Sequence, residues 1–256
     1  MLMSSILRTL RFTLFTLLEY VRSGRVLVEL AATVAVFYLF FRRLGTPMTA
    51  EYFFSTAGLF TLALTFYSAS TILGLGDRPQ GYLVLARRLG RVGYLIGLYL
   101  AALAVVSAAY GAVSLGVALY NPVQGLSLLG WIAGTIPLLL NVALLSALLL
   151  LLAPMVLTTG WRLAILAFVA LAFSGSLIGG PTLASLPPAV ATALDVLRTL
   201  FSTPLLPAFT GFALSVSRDY QGLNSVIPLA QLFLTLGLLA LAVYTFSRRE
   251  LIFTGA

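Results

Sequence analysis

Apolar residues run through this chain in long blocks, and the polar positions between them follow two different rhythms. From Ile6 to Arg22 the rhythm is helical and two-sided. Ile6, Leu7, Leu10, Leu14, Leu17, Leu18 and Val21 share one face, while Arg8, Arg11, Glu19 and Arg22 take the other. An apolar face opposite an arginine-rich one predicts a helix lying in a membrane interface over residues 1–25. A cleaved leader would instead carry an apolar stretch unbroken by charge.

Beyond Arg25 the charges retreat to the ends of the apolar blocks. A helix crosses a hydrocarbon core of about 30 Å with about 20 apolar residues, and the blocks predict six such spans: Val26 to Phe41, Phe53 to Leu75, Gly93 to Leu119, Leu128 to Leu152, Leu163 to Gly179 and Val226 to Phe246. The first is short, but Arg25, Arg42 and Arg43 at its ends can snorkel to the headgroups. "YNPVQG", Tyr120 to Gly125, turns the third span into the fourth, and "APMVLTTGWR" separates the fourth from the fifth. The runs lack period-two alternation, which excludes a barrel and leaves helices as the only spanning element.

The stretch from Gly180 to Ser225 is too often interrupted by proline and glycine for a full span, yet too apolar for a free loop. It predicts short helices near Ala189 to Phe201 and Pro207 to Val216 that dip back toward the membrane as re-entrant elements, the alternative being a seventh span that would put the C-terminus outside. No repeat of 20 to 50 residues is present, and no Gly-x-x-x-Gly pair stands out strongly enough to build on.

Composition agrees with the pattern and removes whole classes of chemistry. The 256 residues are 61% hydrophobic and 9% charged, with a mean hydropathy of +1.07, which a soluble domain of this size could not carry on its surface. All 15 basic residues are arginine, and the chain has neither histidine nor cysteine. This leaves no zinc site of the usual kind, no thiol nucleophile and no histidine relay. Without lysine there is no phosphate-binding loop of the Walker type, so any ATP hydrolysis belongs on another chain.

Arginine placement predicts orientation. Arg8, Arg11, Arg22, Arg25, Arg78, Arg87, Arg88, Arg91, Arg162, Arg248 and Arg249 fall on one side of the six-span topology, and Arg42, Arg43, Arg198 and Arg218 on the other. The positive-inside bias places the first side, with both termini, in the cytoplasm of a cell whose inner membrane holds the chain. The same bias accounts for the basic balance without invoking nucleic acid.

One basic segment reads either as a topology anchor at the lipid headgroups or as a surface for a partner. Over "GDRPQGYLVLARRLGRVGYLIG", Gly76 to Gly97, a helix begun at Gly81 aligns Tyr82, Leu85, Leu89, Val92 and Ile96 on one stripe. Arg87 and Arg91 then lie opposite, Arg88 flanks them, and Leu83 and Val84 fall near the arginines. Asp77, Pro79 and Gly81 supply the turn before the helix. A cytoplasmic face mixing basic and apolar groups suits a protein partner better than bare solvent.

The order of parts is an interfacial helix, two spans, a short basic helix, three spans, an interrupted segment and a last span. It resembles the permease subunits of type-2 ATP-binding-cassette (ABC) exporters over nearly the whole chain. Asp77, Gly81, Leu83, Leu85, Arg91 and Gly97 match the loose motif of that family's coupling helix, with Arg88 standing where the family has proline. The resemblance implies an all-α polytopic fold, one permease domain over 1–256 with spans in 26–246 and a cytoplasmic tail at 247–256. It implies a separate ABC ATPase subunit, which carries ATP and Mg and docks on Asp77, Gly81, Tyr82, Leu83, Val84, Arg87, Arg88 and Arg91. It also implies a second permease subunit, identical or not, in contact with membrane lipid, with no cofactor on this chain and export of a hydrophobic or amphipathic substrate by alternating access.

Two intramembrane residues stand out as candidates for a substrate path or subunit interface. Glu29 either lines such a path or pairs with Arg25 one turn away, since carboxylates are costly in hydrocarbon. Asn141 either bonds across a subunit interface or occupies backbone groups freed by Pro137. The competing readings are an ion-coupled secondary transporter, for which only Glu29 lies inside a span, and a non-transporting membrane assembly subunit. A membrane enzyme would need a base or metal set that this composition lacks.

Overall fold

The structure, a computed structural model, describes residues 2–42, 47–76, 89–173 and 188–248. Among the described residues it is helical with no strand: α1 (Leu2–Arg22), α2 (Val26–Val36), α3 (Ala50–Gly76), α4 (Gly90–Tyr120), α5 (Leu128–Leu151), α6 (Thr159–Phe173), α7 (Pro188–Ser202), α8 (Leu206–Ser217) and α9 (Ile227–Arg248). The predicted short helices between the fifth and last spans correspond to α7 and α8. Proline opens α7 at Pro188 and lies in the first turn of α8 at Pro207, where a missing N–H costs no hydrogen bond.

Four helices, α3, α4, α5 and the last one, are long and apolar enough to cross a membrane. A fifth span arises if α1 and α2 count together, but the two are bent by 76°. Helices at that angle cannot both follow the membrane normal. Together α2 and the π-helical turn that continues it, Phe37–Phe41, contain 11 and 5 residues, about 24 Å at 1.5 Å per residue. α6 has 15 described residues, and positions 174–179 of the fifth predicted span lie outside the described residues. Among the described residues, then, four or five helices are long and apolar enough to cross a membrane.

Two buried clusters occupy opposite ends of the bundle. One joins Tyr20, Leu73, Tyr94, Leu95, Leu98, Leu150, Met155 and Phe246, and the other joins Phe41, Met48, Phe53, Phe54, Val113, Val117 and Leu138. In the second, Phe53 and Trp131 lie 4.7 Å apart between ring centroids and Phe53 and Phe54 meet edge-on at 5.1 Å, the separations aromatic pairs favour. The turn after α4 is tied to this end, with Asn121 Nδ2 donating to the Phe41 carbonyl at 3.1 Å and the Gln124 N–H to that of Met48 at 3.0 Å. Arg91 and Arg248 belong to the first end, whereas Arg42, over the Tyr38 ring at 4.7 Å, and Arg218, 6.0 Å from the Phe54 ring, belong to the second. These four arginines fall at the two bundle ends as their assignment to two sides expects.

Where helices meet closely, glycine makes room, because in lipid their attraction depends on van der Waals contact rather than on expelled water. Phe12 of α1 lies against Gly97 of α4, and Thr9 Oγ1 would stand 3.0 Å from a Cβ on Gly93. Gly93 and Gly97 form a Gly-x-x-x-Gly seat for α1, a pair that the sequence reading passed over. Phe54 fills the equivalent space over Gly134 of α5.

α1 has three faces. Ile6, Leu7, Leu10, Leu14, Leu18 and Val21 are exposed, and so are Arg8, Arg11 and Arg22. The face that packs on α4 carries Phe12, Thr13, Thr16 and Tyr20. The apolar stripe thus points away from the bundle, as an interfacial helix requires.

Candidate functional site

Of the residues expected to meet an ATPase, Asp77, Gly81, Tyr82, Leu83, Val84, Arg87 and Arg88 lie outside the described residues. The ends of that segment are described, and both are braced. Tyr94 donates its hydroxyl to the Gly76 carbonyl at 2.6 Å, joining the last residue of α3 to the first turns of α4. Arg91 donates through Nη1 to the carbonyls of Phe246 at 3.2 Å and Ser247 at 2.8 Å. These are terminal carbonyls of α9, which lack intrahelical partners and sit at the negative end of the helix dipole.

This geometry changes two details of the sequence reading. Gly90 has φ +74°, a left-handed conformation that suits glycine, so the predicted stripe does not run unbroken into α4. Leu89 packs on the core as expected, but Val92 is 53% exposed while Tyr94 and Leu95 are buried. Arg91, expected on the docking face, caps α9.

Glu29 is 3% exposed. Its Oε1 accepts hydrogen bonds from Tyr20 Oη at 2.5 Å and from Ser68 Oγ, while Oε2 has no partner. Arg25 donates through Nη1 to the Thr71 carbonyl at 3.3 Å, so of the two alternatives the pairing with Arg25 is replaced by hydroxyl donors. One carboxylate thereby links α1, α2 and α3 at the bend between the first two.

Asn141 is buried at mid-length of α5 and meets Gln231 of α9. Gln231 Nε2 donates to Asn141 Oδ1 at 2.8 Å and to the Pro137 carbonyl at 3.1 Å, leaving Asn141 Nδ2 and Gln231 Oε1 unpartnered. Gly211 of α8 permits this, since a Cβ there would collide with the Gln231 amide. The backbone carbonyl released by Pro137 is that of Ala133, four residues earlier. It is taken not by Asn141 but by the Tyr220 hydroxyl, at 2.5 Å.

Gln231 and Tyr220 are the functional-looking residues that sequence reasoning missed. A lone glutamine inside the last apolar block was a readable signal. Tyr220, in a loop more than eighty positions from its acceptor, carried none.

Asn141 also lines a cavity of about 380 Å³ between α3, α5, α6 and α8, with Leu59, Leu148, Val169, Phe209 and Phe212 among its walls. Asn141 is the one polar side chain among the described lining residues. Among the described residues no cluster of carboxylates suggests a metal site. Comparison of the chain with protein-family models, with curated proteins and with solved structures finds no match.

Proposed function

We propose that the chain is the transmembrane permease subunit of an ATP-driven exporter of the type-2 ABC class. It works beside a second permease subunit and moves a hydrophobic or amphipathic substrate outward by alternating access. ATP and Mg belong to a separate ATPase subunit, and nothing in this chain supplies the lysine that a phosphate loop needs. In this reading residues 77–88 are the coupling segment, α7 and α8 are re-entrant, the membrane is the cytoplasmic one, and both termini face the cytoplasm.

The observation that carries the reading is the bracing around residues 77–88. A segment that transmits a partner's movement must be attached stiffly to the elements it moves. Tyr94 with Gly76 ties its two flanking helices together, and Arg91 ties the second of them to the end of α9. A push on the segment is thus delivered to α3, α4 and α9 as a unit. The interfacial α1, seated on α4 through Gly93 and Gly97, would move with them.

The ion-coupled alternative rests on Glu29, a buried carboxyl with one unpartnered oxygen. It lies beside Tyr20, in the cluster at one end of the bundle rather than at its middle, where a coupling ion is usually held.

Isolation of the native complex under mild conditions, with mass spectrometry of its subunits, tests the proposal. An ABC ATPase should co-purify, and ATP hydrolysis should require it. Robust hydrolysis by the chain alone, or transport that follows a proton gradient and ignores ATP, would refute this division of labour.

A further inference from the structure

We infer that α1 selects anionic phospholipid, holding the phosphates of a negatively charged leaflet along one flank of the helix while its outward stripe enters the acyl boundary. At about 100° per residue α1 divides into three sectors. Phe12, Thr13, Thr16 and Tyr20 face the bundle. Ile6, Leu10, Leu14, Leu18 and Val21, each 47–61% exposed, form the outward stripe. Along the Leu18 edge of that stripe, Arg8, Arg11 and Arg22 share an arc of about 60°, and all three are exposed.

The arrangement fits a charged membrane surface. α1 meets α2 at 76°, so with α2 directed into the bilayer α1 lies nearly in its plane. A helix so placed sinks its apolar face about 5–10 Å, to the boundary between headgroups and acyl chains, and residues on the flank of that face come level with the headgroups. Arginine stems lie over apolar surface while the guanidinium heads reach outward, where each fork matches a pair of phosphate oxygens. From Arg8 to Arg22 the arc runs about 21 Å along the helix at 1.5 Å per residue, so it meets more than one headgroup.

Charge decides which lipid. Glu19 is the one acidic residue in the sequence of α1, so the flank is positive on balance. A zwitterionic headgroup answers it poorly, because its own ammonium accompanies the phosphate. An arginine near an anionic surface is worth about fivefold in association, and three together separate an anionic leaflet from a neutral one even under physiological screening. An apolar stripe without such a flank would accept any acyl chain.

This inference stands on α1 alone and would hold for a chain with no exporter role, so it is tested on the purified full chain without any ATPase. A fluorophore on Leu14→Cys, a unique thiol because the chain has no native cysteine, reports the lipid beside α1 in nanodiscs. Phosphatidylglycerol and phosphatidylcholine, bearing the same nitroxide-labelled acyl chain at equal mole fraction, are compared as quenchers. Labelled phosphatidylglycerol should associate at least about fivefold more strongly, and molar salt should shrink that preference. Arg8→Gln with Arg11→Gln and Arg22→Gln should bring the two lipids level while both still quench at position 14. Should that variant fail to fold, judged by its melting curve, Arg11→Gln with Arg22→Gln takes its place and should lose most of the preference. Glycerol phosphate in solution should not compete, because the stripe holds only a molecule with acyl chains. Equal quenching in the chain with its arginines intact, a preference that survives their loss, or displacement by glycerol phosphate would overturn the inference. So would quenching by neither lipid, which would mean that something else covers the stripe.

Discussion

Tyr220 donates its hydroxyl to the Ala133 carbonyl at 2.5 Å, the acceptor that Pro137 leaves without its helical N–H. A residue in the loop before the last helix thus repairs a defect inside α5. Tyr220→Phe should destabilise the chain by about 1–3 kcal/mol, the cost of a buried unsatisfied carbonyl. In a Pro137→Ala background, where the helix can bond Ala133 itself, the same change should cost clearly less. Melting of the four proteins in detergent completes the double-mutant cycle, and strict additivity would disprove the repair.

The seat of α1 predicts a local rather than global failure. Gly97→Val collides with Phe12 and should lift α1 from α4 while α3, α5 and α9 remain packed. Thr16, 4% exposed on the inner face of α1, reports this once changed to cysteine, because the chain has no native cysteine. Thiol labelling should be slow in the Thr16→Cys protein and fast when Gly97→Val is added.

At the bend, Tyr20 and Ser68 are the hydrogen-bond donors that hold Glu29 Oε1. Tyr20→Phe with Ser68→Ala leaves the buried Glu29 Oε1 without a donor and should cost about 1–3 kcal/mol, the penalty of an unsatisfied buried acceptor. Adding Glu29→Leu to that pair should recover much of the loss, since no buried carboxyl then remains. Equilibrium unfolding in mixed micelles measures both.

Arginines of the basic segment should separate by role. Arg91→Ala removes the cap on α9 and should lower the melting temperature of the isolated chain. Arg87→Glu with Arg88→Glu should leave that temperature unchanged and weaken capture of an ATPase subunit at least tenfold, about 1.4 kcal/mol or more. Normal ATPase capture and transport by the Arg87, Arg88 double variant would reduce the segment to a topology anchor.

Topology is directly measurable. Ser247 lies at the bundle end with Arg91, and Gln124 is exposed at the end with Phe41. Cysteines at Ser247 and Gln124 should react from opposite sides of sealed vesicles, position 247 from the cytoplasmic side. Labelling of both from one side would overturn the arrangement.

The apolar membrane-length helices, the helical class, the amphipathic α1 and the proline-led starts of α7 and α8 were all legible in residue order. They depend on local quantities: hydropathy over about 20 residues, the 3.6-residue period, and proline's missing N–H. Length separates the first expected span from the four long helices, since α2 and the turn that continues it are short. Partnerships between distant positions were not legible. Arg91 finds the end of α9, Gln231 finds Asn141, Tyr220 finds Ala133 and Tyr20 finds Glu29. In each case a buried polar group had to be satisfied, which sequence can state, but the partner was whichever group packing brought within about 3 Å, which it cannot. Gly93 and Gly97 show the same division: their spacing was on the page, but what gave it meaning was Phe12 resting in the gap.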